Sequence, residues 1–218
     1  MKIWNTHVAL IDSTRSLMNE FKDDTSNTLL IVGGNVLAHF NYDFDSITKG
    51  YDKVIMFNQE NYANASALGW FDKYIALAKR CDEVWDYDER NIPHFAQHGI
   101  EAKLHILQPY MNWDIYAPVD KDIDILVYGS HFERRDNVVE FLRHKYRVEF
   151  LDNTYGDALD SYIMRSKILL NVHSTDHAAQ EQARMIKWLG APCQIISERS
   201  PYNYLGVPEM DYWELFCL

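Results

Sequence analysis

Cysteine is nearly absent from this sequence, with only Cys81, Cys193 and Cys217 among 218 residues. The three lie far apart and in no metal-ligand spacing, which excludes a disulfide framework and fits a reducing, cytoplasmic setting. Long apolar runs are missing too. None approaches the ~20 residues that a membrane span requires. Nothing after Met1 reads as a secretory signal, since Asn5, Thr6 and His7 follow within a short mixed segment. No basic amphipathic helix offers peripheral membrane contact, so no integral membrane segment is expected. Positive charge is scarce: 21 Lys and Arg against 32 Asp and Glu leave a net charge of −11. That excludes a general nucleic-acid-coating role, which needs an excess of cations, but not a pocket for one small anion. There is no Gly-x-Ser-x-Gly elbow for a serine hydrolase and no Gly-x-x-x-x-Gly-Lys-Ser/Thr loop for a P-loop nucleotidase.

What is present is an ordinary globular balance of 47% hydrophobic and 24% charged residues, enough to bury a core in each of two halves. Residues 2–11 read as an opening strand and 13–21 as a short helix capped by Asp12 or Ser13. The apolar run Thr28-Leu-Leu-Ile-Val32 ends in Gly33-Gly34-Asn35, as a buried parallel strand ends in a tight turn. A second run, 52–57, ends in Asn58-Gln59-Glu60. Helical spacing follows over 65–80, a short strand over 83–85, helix turns over 91–98 with Gly99 as C-cap, and a strand over 103–107. Two prolines then flank 108–122, a stretch without a clear period. Beyond it the alternation repeats, with strands at 123–128, 147–151, 167–172 and 193–197. Helices are expected at 135–145, 157–165 and 178–189, before an aromatic, helical tail. Strands alternating with helices indicate an α/β chain of two tandem Rossmann-like lobes, each a parallel sheet covered on both faces, facing a cleft.

Three strand ends in the second half are polar. Gly129-Ser130 leads to Arg134-Arg135. Asn171 and His173 close the next strand, and Ser197-Glu198 the last. Each alone is compatible with an ordinary turn. Together, at the carboxyl ends of strands, they suit a phosphate held by backbone N–H groups and guanidinium forks. Glu181 and Arg184 stand one helical turn apart and either pair with each other or leave Glu181 to accept ribose hydroxyls. In the first half, Gly34, Asn35 and Asn58 are candidate acceptor-side groups. Glu60 is the first choice and His39 the second for a base that takes a proton from an attacking hydroxyl. The alternative for both is a surface or capping role.

Strand–Gly-Ser–Arg-Arg, Ser166-Lys-Ile-Leu-Leu-Asn-Val-His173, Glu181-x-x-Arg184 and Ile195-Ile-Ser-Glu198 together resemble the donor-binding half of GT-B glycosyltransferases, particularly small ones of bacteria and large DNA viruses. Phe57-Asn-Gln-Glu60 and Val84-Trp-Asp-Tyr87-x-x-x-Asn91 resemble that group as well, so the likeness spans about residues 52–206. It implies an acceptor-side lobe over 1–110, a linker over 111–122, and a nucleotide-sugar-binding lobe with a C-terminal tail over 123–218. It further implies that Arg134 or Arg135 contacts the diphosphate, Glu181 the ribose, and Gly129-Ser130 the phosphate edge. The reaction expected is transfer of a hexosyl or deoxyhexosyl unit from a nucleotide diphosphate sugar such as a UDP-sugar to a glycan or glycoconjugate hydroxyl, with no metal and no separate cofactor. The chain departs from larger retaining members, which carry two glutamates seven residues apart where this one has Asp176 and Glu181.

Two rivals remain open. Asp86-Tyr87-Asp88 matches the Asp-x-Asp with which GT-A transferases hold a divalent cation, although Asp43-Phe-Asp45 and Asp122-Ile-Asp124 match equally well. A non-catalytic sugar- or nucleotide-binding protein would use the 14% aromatic content for stacking on sugar rings.

Overall fold

The computed structural model describes residues 1–40, 42–62, 71–176 and 178–218, and the chain divides into two units, Met1–Gln108 and Pro109–Leu218. The first unit holds strands β1 (Lys2–Asn5), β2 (Thr28–Val32), β3 (Lys53–Asn58), β4 (Glu83–Asp86) and β5 (Ala102–Leu104). Its helices are α1 (Ile11–Glu20), α2 (Gly34–Phe40), α3 (Phe44–Thr48), α4 (Phe71–Ala78) and α5 (Ile92–Gln97). The strands lie side by side in the order of the sequence, every neighbouring pair parallel. β2 is buried along its whole length, because a parallel sheet is covered on both faces. On one face Leu29, Ile31, Val54, Met56 and Val84 pack against Leu37, Phe44, Tyr74 and Phe95. On the other, Val32, Phe57 and Trp85 stand in register, and Phe21 meets Trp85 with ring centroids 5.7 Å apart. Burying each such side chain contributes ~2 kcal/mol, so polar residues are left to the strand tips.

The opening strand is shorter than the expected 2–11. After Asn5 the Thr6 hydroxyl donates to the Val32 carbonyl at 2.7 Å, and His7 caps a 3-10 turn over Val8–Leu10 by accepting from Ala9 N–H. The local bond from Ala9 N–H to the His7 ring turns the chain away from the ladder after Thr6. Gly33-Gly34-Asn35 is the start of α2 rather than a free turn. Gly33 has φ of +82°, and a Cβ on Gly34 would collide with the Met56 side chain. α3 was not expected, although Asp43 caps it through Ser46 N–H at 3.3 Å, a standard helix-start signal. Of the helix expected over 65–80, residues 65–70 lie outside the described residues, and Phe71–Ala78 is helical.

The second unit contains β6 (Ile123–Tyr128), β7 (Val148–Leu151), β8 (Ser166–Asn171), β9 (Gln194–Glu198) and β10 (Glu209–Met210). Its helices are α6 (Glu133–Leu142), α7 (Asp160–Arg165) and α8 (Gln182–Met185). The strand order is β10-β9-β8-β6-β7, again parallel throughout. The chain leaves β6 to one side to form β7 and returns on the other side to form β8. The order therefore reverses between β6 and β8, the position at which open α/β sheets take ligands at the strands' carboxyl ends. Alternate residues face opposite layers. Leu126, Tyr128 and Leu169 pack with Ile163, Met185 and Trp188. Ile125, Val127 and Leu170 pack with Val138, Val139 and Leu142 of α6 and with Leu215 of the tail.

Residues 111–122, expected as a linker, pack onto this second unit. Trp113 is buried in its core and donates from Nε1 to the Lys187 carbonyl at 3.1 Å. Tyr116 donates to the Asp160 carboxylate, which also pairs with the fully buried Lys187 at 2.5 Å. The helix expected over 178–189 contracts to α8. The tail, expected to be helical, first adds β10 to the sheet edge and then forms a 3-10 turn over Tyr212–Cys217, closed by a capping box between Asp211 and Glu214. Among the described residues no helix is long and apolar enough to cross a membrane.

Candidate functional site

The carboxyl ends of β6, β8 and β9 carry one connected polar network. Gly129 follows β6 with φ of +132°, and a Cβ there would lie 2.6 Å from Arg184 Nη2 and 3.3 Å from Arg135 Nη1. Glycine is what lets two guanidinium groups close on the backbone at the reversal point. Arg184 donates from Nη1 to Asn171 Oδ1 at 2.9 Å and to Glu181 Oε2 at 2.5 Å. Arg135, 2% exposed, donates to the Val172 carbonyl at 2.7 Å, the Ser130 carbonyl at 2.9 Å and Glu181 Oε1 at 2.7 Å. It therefore ties the loops after β6 and β8 to α8's approach. Burial works against a charge on Glu181, but the Arg184 and Arg135 guanidiniums outweigh it and hold the carboxyl at about 2.

Arg134, one residue earlier on α6, points elsewhere. It pairs with Glu198 and with Asp176 at 2.5 Å, and its guanidinium carbon lies 3.6 Å from the centre of the Tyr212 ring, a cation–π stack. Arg134, Asp176, Glu198, Arg199, Ser200 and Tyr212 line a cleft of about 480 Å³, within the usual range for small-molecule sites. His173 is buried, donates its backbone N–H to Glu198 Oε2 at 2.9 Å and bonds Ser200 Oγ through Nε2 at 3.2 Å. Its Nδ1 stands 3.9 Å from Glu181 Oε2, beyond hydrogen-bond reach. Ser197 receives the Asn171 side-chain amide at 3.1 Å. All nine residues expected on this rim thus share one edge of the sheet, with Arg134 and Arg135 serving different neighbours.

In the first unit the carboxyl ends of β3 and β4 form a second polar group. Glu60 is half-buried, and its Oε1 accepts from the Asn35 side-chain amide at 3.1 Å. Asn58 donates to the Asp86 carboxylate at 2.7 Å. Burial raises Glu60 above the ordinary carboxylate range. It pushes Asp86 up to about 7, against hydrogen bonds from Asn58, Asp88 N–H and Asn91. His39 is exposed near the end of α2, edge-on to Phe40 at 4.8 Å. Among the described residues it hydrogen-bonds to none of this group. Gly34 packs closely against the Met56 side chain.

The Asp-x-Asp segments have other partners. Both Asp86 oxygens accept from amides, Asp88 grips Arg90 through both oxygens, Asp43 caps α3, and Asp122 pairs with Arg165. Among the described residues no three His, Cys, Asp or Glu side chains are grouped to hold a metal ion. Sequence reasoning gave Arg184 no site role beyond a pair with Glu181. The Glu-x-x-Arg spacing signals that pair, but the approach to Gly129 and Asn171 is a tertiary contact without local signature. Asp86 and Asn91 were likewise not assigned to the site.

No family model and no curated protein sequence matches this chain. Among solved structures it is similar to an apo structure of OtsA, with a TM-score of 0.53 and 8% identity over 95% of this chain and 67% of that one. Sucrose-phosphate synthase from Thermosynechococcus elongatus aligns with a TM-score of 0.48 and 9% identity, over 87% of this chain and 61% of that one. TarM gives 0.46 and 10% identity, over 93% and 48%. The chain spans about half to two thirds of the length of these structures. The likeness to the first of these gives the fold, a GT-B-like pair of Rossmann-like α/β units in tandem.

Proposed function

We propose that this chain transfers a hexosyl or deoxyhexosyl unit from a nucleotide diphosphate sugar to a hydroxyl of a glycan or glycoconjugate. The observation that carries this reading is the reversal point of the second sheet, where Gly129 opens the backbone to Arg184 beside Glu181. Arg184 and, from the neighbouring cleft, Arg134 receive the diphosphate. Guanidinium forks match phosphate oxygens and stabilise the charge that builds on the departing nucleotide. Because these cations supply that stabilisation, the reaction needs no metal ion and no cofactor beyond the donor. Arg135 works through position, fixing Ser130 and Glu181, and Glu181 accepts the ribose hydroxyls. In the first unit Glu60, its proton affinity raised by burial, takes the proton of the acceptor hydroxyl as its oxygen attacks the anomeric carbon. The bond from that carbon to the diphosphate breaks, and the electron pair leaves with the nucleotide.

Calorimetry with UDP and GDP tests the donor half. Arg184→Ala and Arg134→Ala are each expected to weaken nucleotide affinity by 10-fold or more, the scale of one lost charge-assisted bond. Unchanged affinity in both variants overturns the assignment. Chelation tests the metal-free reading, since activity that disappears with EDTA and returns with Mn²⁺ would replace it with the metal-dependent one. A second reading, ligand binding without turnover, draws on the carboxylates Asp176, Glu181 and Glu198 that already face the three arginines. It predicts a nucleotide-induced rise in melting temperature with no release of nucleotide from its sugar.

A further inference from the structure

We infer that Asp86 is the positioning residue that fixes Glu60, acting through Asn58 and Asn91, and that these four residues form one device. The inference rests on the reading of Glu60 as the base. It joins two sequence motifs, Phe57-Asn-Gln-Glu60 and Trp85-Asp-Tyr-Asp-Glu-Arg-Asn91, whose relation is invisible in the sequence.

The hydrogen bonds leave little freedom. Asn58 Nδ2 donates to Asp86 Oδ2 at 2.7 Å and to the Glu60 carbonyl at 2.9 Å. Asn91 Nδ2 donates to Asp86 Oδ1 at 3.0 Å and to the same Glu60 carbonyl at 3.0 Å. Each amide has two N–H donors, and both are spent in the same way. The amide oxygens fix the orientation, because Asn58 Oδ1 accepts from Glu60 N–H at 3.3 Å and Asn91 Oδ1 from Tyr62 N–H at 3.1 Å. A flipped amide would turn a donor toward a donor. Asp86 is thus the acceptor on which both asparagines hang, and Glu60 is held by its backbone at both N–H and C=O. Asn35 steadies Oε1, and among the described residues Oε2 accepts no hydrogen bond. Asn58, Asp86 and Asn91 are 1%, 0% and 2% exposed, so water cannot replace a lost bond.

The device requires ionised Asp86. Its Oδ1 also accepts from Asp88 N–H at 2.8 Å, so three charge-assisted hydrogen bonds converge on the carboxylate, and a proton on it weakens all three. The charged and titratable groups around it are Asp88, whose carboxylate is turned to Arg90, Glu60 itself, and the hydroxyls of Tyr62 and Tyr74. Protonation of Asp86 accordingly loosens residues 59–62 without opening the core beneath.

Amide hydrogen exchange followed by NMR on the intact chain tests this. In the wild type, protection of the Glu60 and Tyr62 amides, corrected for intrinsic exchange, is expected to fall at least 10-fold as pH drops from 8 to 6, while Ile55 and Met56 in β3 stay protected. In Asp86→Asn that protection is expected to be low at every pH. The wild-type series needs no substitution, so it decides even if the variant fails to fold. Protection that ignores both pH and substitution overturns the inference. Turnover of UDP-glucose with water as acceptor separates this from failure of the base assignment. Asp86→Asn is expected to lower kcat about 100-fold, the cost of a misplaced reacting group, with KM for the donor unchanged. If Glu60→Gln keeps full turnover while the protection result holds, Glu60 is not the base, and positioning for catalysis falls with it. If Glu60→Gln loses turnover and Asp86→Asn does not, positioning by Asp86 is overturned alone.

Discussion

The two units share one construction, a five-stranded parallel sheet with its polar residues at the carboxyl tips, yet they treat a carboxylate in opposite ways. In the first, Asp86 and Glu60 are surrounded by amides and apolar side chains, and burial raises both. In the second, Glu181 is also largely enclosed but stands between Arg135 and Arg184, and its carboxyl is held at about 2. Amides stabilise a charge without supplying an opposite one, so desolvation wins there. Guanidinium groups supply it, and desolvation loses. One unit thus keeps in Asp86 a group able to exchange a proton near neutrality, and the other keeps a lattice of paired charges. The strand orders differ in the same sense. The first sheet runs straight through and offers no crevice at a reversal, whereas the second reverses between β6 and β8 beside Arg184.

The largest test of this contrast is Arg135→Ala. It leaves Glu181 and two backbone carbonyls without their buried donor, and a loss of about 3–5 kcal/mol in chemical denaturation is expected. A loss below 1 kcal/mol would mean that the arginine lattice is not structural. Next in size is Glu60→Gln, expected to cut turnover about 100-fold while calorimetry finds nucleotide affinity within a factor of two, since on the proposed reading it removes the proton acceptor and leaves the donor site intact. Gly129→Ala is expected to do the reverse. Its Cβ displaces Arg184, and the residue must adopt a backbone conformation costing ~1–3 kcal/mol, so nucleotide affinity falls about 10-fold with the first unit untouched.

Acidification sharpens the comparison further. Glu181 is depressed, so its contribution to stability is present above about 4.5 and lost as pH falls toward about 2. Asp86 is raised, so its ionisation costs stability as pH rises from 3.8 to about 7. The melting-temperature gap between Asp86→Asn and the wild type should therefore move in the variant's favour across that window, and Glu181→Gln should lose its deficit below it. The smallest effect belongs to the exposed Arg143–Glu140 pair, where Arg143→Ala is expected to stay within about 0.5 kcal/mol.

Much of the fold was legible because strands buried on both faces write themselves as apolar runs. Thr28–Val32 and Ile123–Tyr128 appear in the structure with the bounds the sequence suggests. β10 was not legible, since Glu209-Met210 is too short to show a period, and α8 begins only at Gln182, with Glu181 just before it turned to Arg135 and Arg184. In the site, the rim of the second sheet followed from the strand ends. Which arginine does what did not. Neighbours on a helix point about 100° apart, and nothing in Arg134-Arg135 says which one turns inward. The Asp86–Asn91 group was hidden for another reason: its members read as an Asp-x-Asp and the first residue of a helix turn until the fold brings Asn58 beside them.

The indole of Trp113 has a practical corollary for anyone dissecting the molecule. A fragment begun at Ile123, where the first strand of the second sheet starts, would discard that ring together with Tyr116. It would uncover the apolar surface of Trp188 and Met185 and strand the Lys187 carbonyl. Cut at Pro109 instead, the same half keeps its own stopper.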